Sequence, residues 1–174
     1  MQFVVPENVA THFHLRDGDA VGDFGAGSGF FEKALSKMVG KTGKVYVCEI
    51  QKALIERIAS LLDSEKIDNA EVLWCDIETP DGCKLKDGIL DAGILSNTLF
   101  QLDNKASALE EIRRLLRKGG KFFVLDWSDK APGIGPAAVV PEDKAQALVE
   151  QHHFRFVRSF PAGEHHYGLA FQAV

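Results

Sequence analysis

Apolar residues along this chain fall into two alternating rhythms. Short, nearly continuous apolar runs at Ala20–Phe24, Lys44–Cys48, Glu71–Cys75, Ile89–Leu95 and Lys121–Trp127 read as strands. Strands covered on both faces need no polar alternation. Between them apolar positions recur at helical spacing. Phe31, Ala34, Leu35 and Met38 mark a helix over Ser28–Val39, stopped by Gly40. Leu54, Ile58, Leu61 and Leu62 mark one over Gln51–Asp63. Leu109, Ile112, Leu115 and Leu116 mark a third, capped by Asp103 and running through Arg117 to a stop at Gly119-Gly120. Pro6–Phe13 reads as a short leading helix with proline in its first turn, and Cys83–Asp87 as loop or a single helical turn. Strand alternating with helix predicts an α/β fold, a doubly wound and mostly parallel sheet with helices on both faces.

The last third breaks the rhythm. A helix is predicted over Pro141–Gln151, then strands at Phe154–Phe160 and His166–Ala173. Only Pro161-Ala162-Gly163-Glu164 and His165 separate those strands, too little chain for a parallel crossover, so the two must pair antiparallel. Five βα-type units closed by a β-hairpin make one domain over residues 1–174, with no linker.

Composition narrows the picture. At 174 residues the chain is long enough for a real core. A formal net charge of −5 argues against DNA or an anionic membrane surface as partner. No run of 18 apolar residues spans a membrane, and Met1–Pro6 lacks the regions of a signal peptide, which points to a cytoplasmic protein. Cys48, Cys75 and Cys83 form no C-x-x-C pair. Neither zinc knuckle nor disulfide framework is expected. With no third Cys or His at ligand spacing beside Cys48 and Cys75, packing is their expected role, and no metal is anticipated.

The chemistry concentrates at Val21-Gly22-Asp23-Phe24-Gly25-Ala26-Gly27-Ser28-Gly29-Phe30-Phe31, where an apolar strand meets an acid and then glycines at alternate positions. Glycine permits a tight turn and close approach of a ligand, and the following helix start offers unpaired N–H groups. A dinucleotide fingerprint, G-x-G-x-x-G, would need glycine where Phe30 stands. Asp23 would repel a pyrophosphate but suits a ligand with an ammonium or other positive centre. An NAD-linked enzyme is thereby disfavoured. The stretch resembles the first motif of the class I S-adenosylmethionine (SAM) methyltransferases.

That resemblance runs from about residue 15 to the C-terminus. It implies a seven-stranded sheet of order 3-2-1-4-5-7-6 with only strand 7 antiparallel, and SAM as cofactor. On the family pattern, Asp23, Phe24, Gly25, Ala26, Gly27 and Gly29 form the methionine-side loop. Glu49, ending the second strand 20 residues after Gly29, is implied as the ribose ligand, since two carboxylate oxygens match two vicinal hydroxyls. Ile50 is implied to pack on the adenine. Asp76 and Ile77, in Trp74-Cys75-Asp76-Ile77, match the adenine-contacting position after the third strand. Ser96 and Asn97 end the fourth strand and are expected to meet the methionine part. The Asn-Pro-Pro-Tyr motif of amino-group nucleic-acid methyltransferases is absent there. Asp126-Trp127, Gly135-Pro136 and His166-Tyr167-Gly168-Leu169 resemble the small-molecule methyltransferases related to the ubiquinone and menaquinone biosynthesis enzymes.

Transfer of an activated methyl needs alignment above all, and a general base only where the acceptor must first lose a proton. His166 and Trp127 are the candidate catalytic residues. Residues 1–14, with Phe3, and the Gly135-Pro136 loop are candidate lids, and an open cleft also suits a homodimer. A small or medium organic acceptor is the leading reading. An RNA or protein acceptor brought by a partner subunit, or a SAM-binding protein without catalysis, remain the alternatives.

Overall fold

The computed structural model of the protein describes residues 5–128 and 138–174. The Phe3 and Gly135-Pro136 lid expectations lie outside the described residues. Strands β1 (Ala20–Phe24), β2 (Lys44–Glu49), β3 (Ala70–Trp74), β4 (Leu90–Ser96), β5 (Leu116–Trp127), β6 (Phe154–Pro161) and β7 (His166–Ala173) form one sheet of order β3-β2-β1-β4-β5-β7-β6. β1 to β5 pair parallel, and β7 runs antiparallel to both β5 and β6. The expected topology is present in full.

Successive side chains of each strand serve opposite faces, and two separate cores result. On one face Val21, Val47, Ile94 and Phe123 pack under α1 (Pro6–Ala10), α2 (Glu32–Val39) and α3 (Lys52–Ser64). On the other, Phe24, Leu95, Phe122 and Leu169 pack under α4 (Lys105–Leu115) and α5 (Glu142–Glu150). The layers are helix, sheet, helix, so the carboxyl ends of β1, β2, β4 and β5 open along one rim.

Several predicted boundaries move, each for a local reason. The helix expected from Ser28 starts at Glu32, because Gly27 and Gly29 hold φ of 60° and 82° and keep the chain in a loop. The cap of α4 is Asn104 rather than Asp103: Ser107 donates its backbone N–H to the Asn104 side chain at 3.1 Å. That helix ends at Leu115, and Gly119-Gly120 is no helix cap. Pairing jumps from Leu90↔Leu116 to Ala92↔Lys121, a bulge. Gly119, at φ 78°, sits within the skipped residues.

The described part of the N-terminal segment packs against the sheet. Val9, Ala10 and Phe13 are buried in the α2-side core, Phe13 against Phe31, Phe123 and Phe160.

Candidate functional site

β1 ends in the core and its chain turns sharply between the neighbouring strands. Gly25 and Ala26 donate their N–H groups to Cys48 O at 2.8 and 3.1 Å, tying the turn to the end of β2. Gly25 (φ 70°) has no room for a side chain, since a Cβ would lie 2.6 Å from Thr98 Oγ1. Gly27 (φ 60°) differs: beyond Gly25 O at 4.0 Å its Cβ position faces open space. A glycine there leaves a bare backbone cradle.

Two cavities flank this turn and share Gly25, Gly27 and Gln101. The first, of about 420 Å³, is walled by Asp23, Phe30, Ser96, Asn97, Trp127 and His166. The second, of about 350 Å³, is walled by Glu49, Ile50, Cys75, Asp76, Ile77 and Leu102. Together they form a two-ended groove over a glycine bridge, with a carboxylate at each end.

Glu49 is 4% exposed and does two jobs. Its Oε2 accepts the Gly27 N–H at 2.9 Å, and its Oε1 accepts those of Ile50 and Gln51 at 2.9 and 3.0 Å. The carboxylate thereby fixes the glycine turn, and two oxygens with about four acceptor sites keep capacity for a ligand. Asp76 is turned inward on its own loop, accepting the Glu78 N–H at 3.0 Å and the Thr79 hydroxyl at 2.7 Å. Ile50 stands 48% exposed beside them, an apolar surface left open at the cavity wall.

At the other end, Asp23 is 2% exposed and meets the fully buried Glu32 of α2. Burial pushes the Asp23 carboxyl well above the usual range, and the neighbouring Glu32 and Glu49 push it further. Burial raises Glu32 as well. Neither Glu32 oxygen has a hydrogen-bond partner among the described residues. A positive charge beside these acids would relieve their crowding and lower both pKa values.

Trp127 and His166 face each other across the β5–β7 ladder, their rings 4.0 Å apart. Burial, and His165 beside it, lower the His166 pKa, so the imidazole is neutral near pH 7. Its Nε2 has no partner among the described residues, and neither has Asn97 Oδ1. Asn97 holds φ 51°, a conformation asparagine tolerates. Asp126 serves as a brace: it accepts the Phe100 N–H at 3.0 Å and the Trp127 N–H at 2.8 Å, and burial pushes its pKa up to about 6.

Of the predicted residues, Asp23, Gly25, Ala26, Gly27, Ser96, Asn97, Trp127 and His166 line the first cavity, and Glu49, Ile50, Asp76 and Ile77 the second. Phe24 and Gly29 line neither. Phe24 is wholly buried in the α4-side core, and a Cβ on Gly29 would meet Leu61 at 2.9 Å. Glu32, Thr98, Phe30 and Gln101 are additions. Glu32 was legible as an acid sharing a helix face with Leu35 and Val39. Thr98 and Gln101 carried no signal of their own. Cys83, which stands at no ligand spacing from Cys48 and Cys75 in the sequence, folds back until all three Sγ atoms lie within 4.8 Å of one another. Hydrogen bonds from Cys48 and Cys83 lower the Cys75 thiol to about 5.

A family profile described as a methyltransferase domain matches residues 15–159. The chain is similar to the ubiquinone/menaquinone biosynthesis C-methyltransferase UbiE of Hydrogenovibrio crunogenus, 34% identical over 115 residues, which are 66% of this chain and 44% of that protein. It is also similar to the UbiE of Chromobacterium violaceum, 30% identical over 114 residues, 66% of this chain and 45% of that one. The match spans less than half the length of these curated relatives. The crystal structure of a SAM-dependent methyltransferase from Aquifex aeolicus superposes with a TM-score of 0.92 at 28% identity, covering 99% of this chain and 91% of that chain. The [4+2]-cyclase SpnF shares the fold alone, at TM-score 0.83 and 12% identity, covering 97% of this chain and 79% of that one. Sheet order, two-ended groove and profile agree, and the chain belongs to the methyltransferase-domain family, with the class I fold and SAM as its cofactor.

Proposed function

We propose that the chain lays SAM across the glycine bridge and delivers its methyl group to a small organic acceptor in the first cavity. The observation that carries this reading is the two-ended groove itself, with Asp23 at one end and Glu49 at the other. The residues present fit the cofactor. The open Cβ position of Gly27 admits a ligand against bare backbone, and the acid-crowded Asp23 suits an amino group. Glu49 suits the ribose, and Ile50 and Ile77 offer apolar surface to the adenine.

Bound SAM supplies a methyl already activated by its sulfonium. What the chain contributes is alignment and exclusion of water. Ser96 and Asn97 present polar groups to the methionine part. Trp127 and Phe30 wall the first cavity and limit where an acceptor can lie. His166, neutral and with an Nε2 that has no partner among the described residues, would hold a proton lost by the acceptor.

A small acceptor is supported by the cavity volume of about 420 Å³, within the range of small-molecule sites. No helix among the described residues is long and apolar enough to cross a membrane. The reading includes a cytoplasmic location, supported by three free thiols, and allows a homodimer to close the rim.

Calorimetry tests the reading, with SAM and NAD titrated separately into wild type and Asp23→Asn. SAM alone is expected to bind, and Asp23→Asn to weaken it at least tenfold. Binding no tighter than about 1 mM would sink the assignment. Labelled methyl transfer in cell extract, separated into small-molecule, RNA and protein fractions, then assigns the acceptor. Label confined to RNA or protein overturns the small-acceptor reading.

A further inference from the structure

Cys48 and Cys75 are brought together by the sheet. β2 and β3 run in parallel register, and Cys75 N donates to Glu49 O at 3.0 Å, so the two thiols end adjacent strands on the same side. The third thiol arrives by a different route. Asp81 and Cys83 donate their N–H groups to the Glu111 carboxylate at 3.1 and 3.0 Å, and Arg114 Nη2 donates to Cys83 O at 3.0 Å while pairing with Glu111 at 2.7 Å. Gly82 allows no side chain, since a Cβ would lie 1.9 Å from Asp76 O. The loop thus has one shape, clamped to α4, and that shape sets Cys83 against the other two.

We propose that Cys48, Cys75 and Cys83 form a binding site for a trivalent thiophilic ion of the arsenite class. All three are buried, and their Sγ atoms lie within 4.8 Å of one another. A soft ion bonded at about 2.3 Å to each sulfur needs them roughly 3.5–4 Å apart, a spacing reached by small χ1 rotations. Among the described residues no fourth donor joins the cluster, so a closed structural zinc site is left one protein ligand short.

Charge selects further. Glu111 and Arg114, which clamp the loop, pair with one another, and Arg114 also reaches the exposed carboxylates of Asp81 and Asp87. Three thiolates around a divalent ion would bury a net negative charge, and around a monovalent ion two. A trivalent centre leaves none, which suits a site within the α4-side core. Loading balances without redox chemistry: As(OH)₃ and three thiols give As(S–Cys)₃ and three waters, each thiol proton leaving with one hydroxide. Cys48 and Cys75 line the second cavity, which provides the entry path. The ion would occupy the wall beside Ile77, so loading should weaken SAM, a consequence that rests on the function proposed above.

The test uses the reduced full chain with arsenite as probe. Native mass spectrometry is expected to show one arsenic gained and three hydrogens lost per chain. Arsenic K-edge absorption is expected to show three sulfur neighbours. Cys83→Ser, checked for folding by circular dichroism, should lose the three-sulfur adduct, and if that variant fails to fold the absorption edge of wild type decides. No adduct, two sulfurs with one oxygen, or preferred binding of zinc would overturn the site and leave the cysteines as packing. SAM is then titrated into arsenite-loaded and ion-free protein. Binding at least tenfold weaker when loaded supports the coupling, and equal affinity refutes it. A failure of the ion-free protein to bind SAM counts against the proposed function, whereas the mass readout bears on the ion site alone.

Discussion

Glu32 carries the prediction with the most direct physics. It lies wholly inside the protein, its oxygens unpaired among the described residues, with the buried Asp23 for neighbour. Burial raises the folded pKa of both acids. A carboxyl whose folded pKa exceeds its unfolded value keeps a proton in the native state after the unfolded chain has lost it. Its stabilising share is therefore complete below the unfolded value, about 4.3 for Glu. It is lost as pH rises through the folded value. Across that window one retained proton lowers stability by about 1.4 kcal/mol per pH unit. Glu32→Gln preserves the shape and removes one of the two titrations. Asp23 then titrates without the repulsion of Glu32, with Glu49 as its remaining acidic neighbour. At the low end of the window the variant should match wild type. Near pH 7 it should be the more stable, by about 1.4 kcal/mol for each pH unit over which the folded protein alone keeps that proton. Urea unfolding at half-unit steps from pH 5 to 8 reads the difference directly. Two parallel stability profiles would refute the reasoning, because they would mean that Glu32 is ionised at no cost in the folded state.

Two further variants probe the glycine bridge. Gly25→Ala should cost about 1–2 kcal/mol for its left-handed backbone and about 1–3 kcal/mol more for the overlap with Thr98. Adding Thr98→Ala should recover only the second part in thermal unfolding, and full recovery would show that the backbone is unstrained. Glu49→Gln replaces a carboxylate that accepts three N–H groups by an amide with one acceptor oxygen. A loss of about 1.5–3 kcal/mol per charged hydrogen bond is expected, and a chemical-shift map unchanged at Gly27 would argue against it.

The sequence by itself determined the architecture. Apolar strand runs and helical periodicity are local properties of the chain, and the short gap before His166 forces the last two strands antiparallel whatever surrounds them. The glycine spacing and the acids at Asp23 and Glu49 were legible for the same reason, since strand ends and turns are set within a few residues. Their placement at the two ends of one groove then follows from the parallel pairing of β1 with β2. Tertiary packing decided the rest. Phe24 looks like a site residue beside its glycine, but strand alternation turns it into the core. Residues 1–14 read as a candidate lid, and nothing local to them shows that Val9, Ala10 and Phe13 join the α2-side core. Glu32 becomes Asp23's neighbour only when α2 lies across the end of β1. Cys83 stands far from Cys48 along the chain, and no spacing rule joins them. A loop clamped by Glu111 and Arg114 does so in space. Local chemistry can be read along a chain, but which distant groups share a site depends on how the layers close over one another.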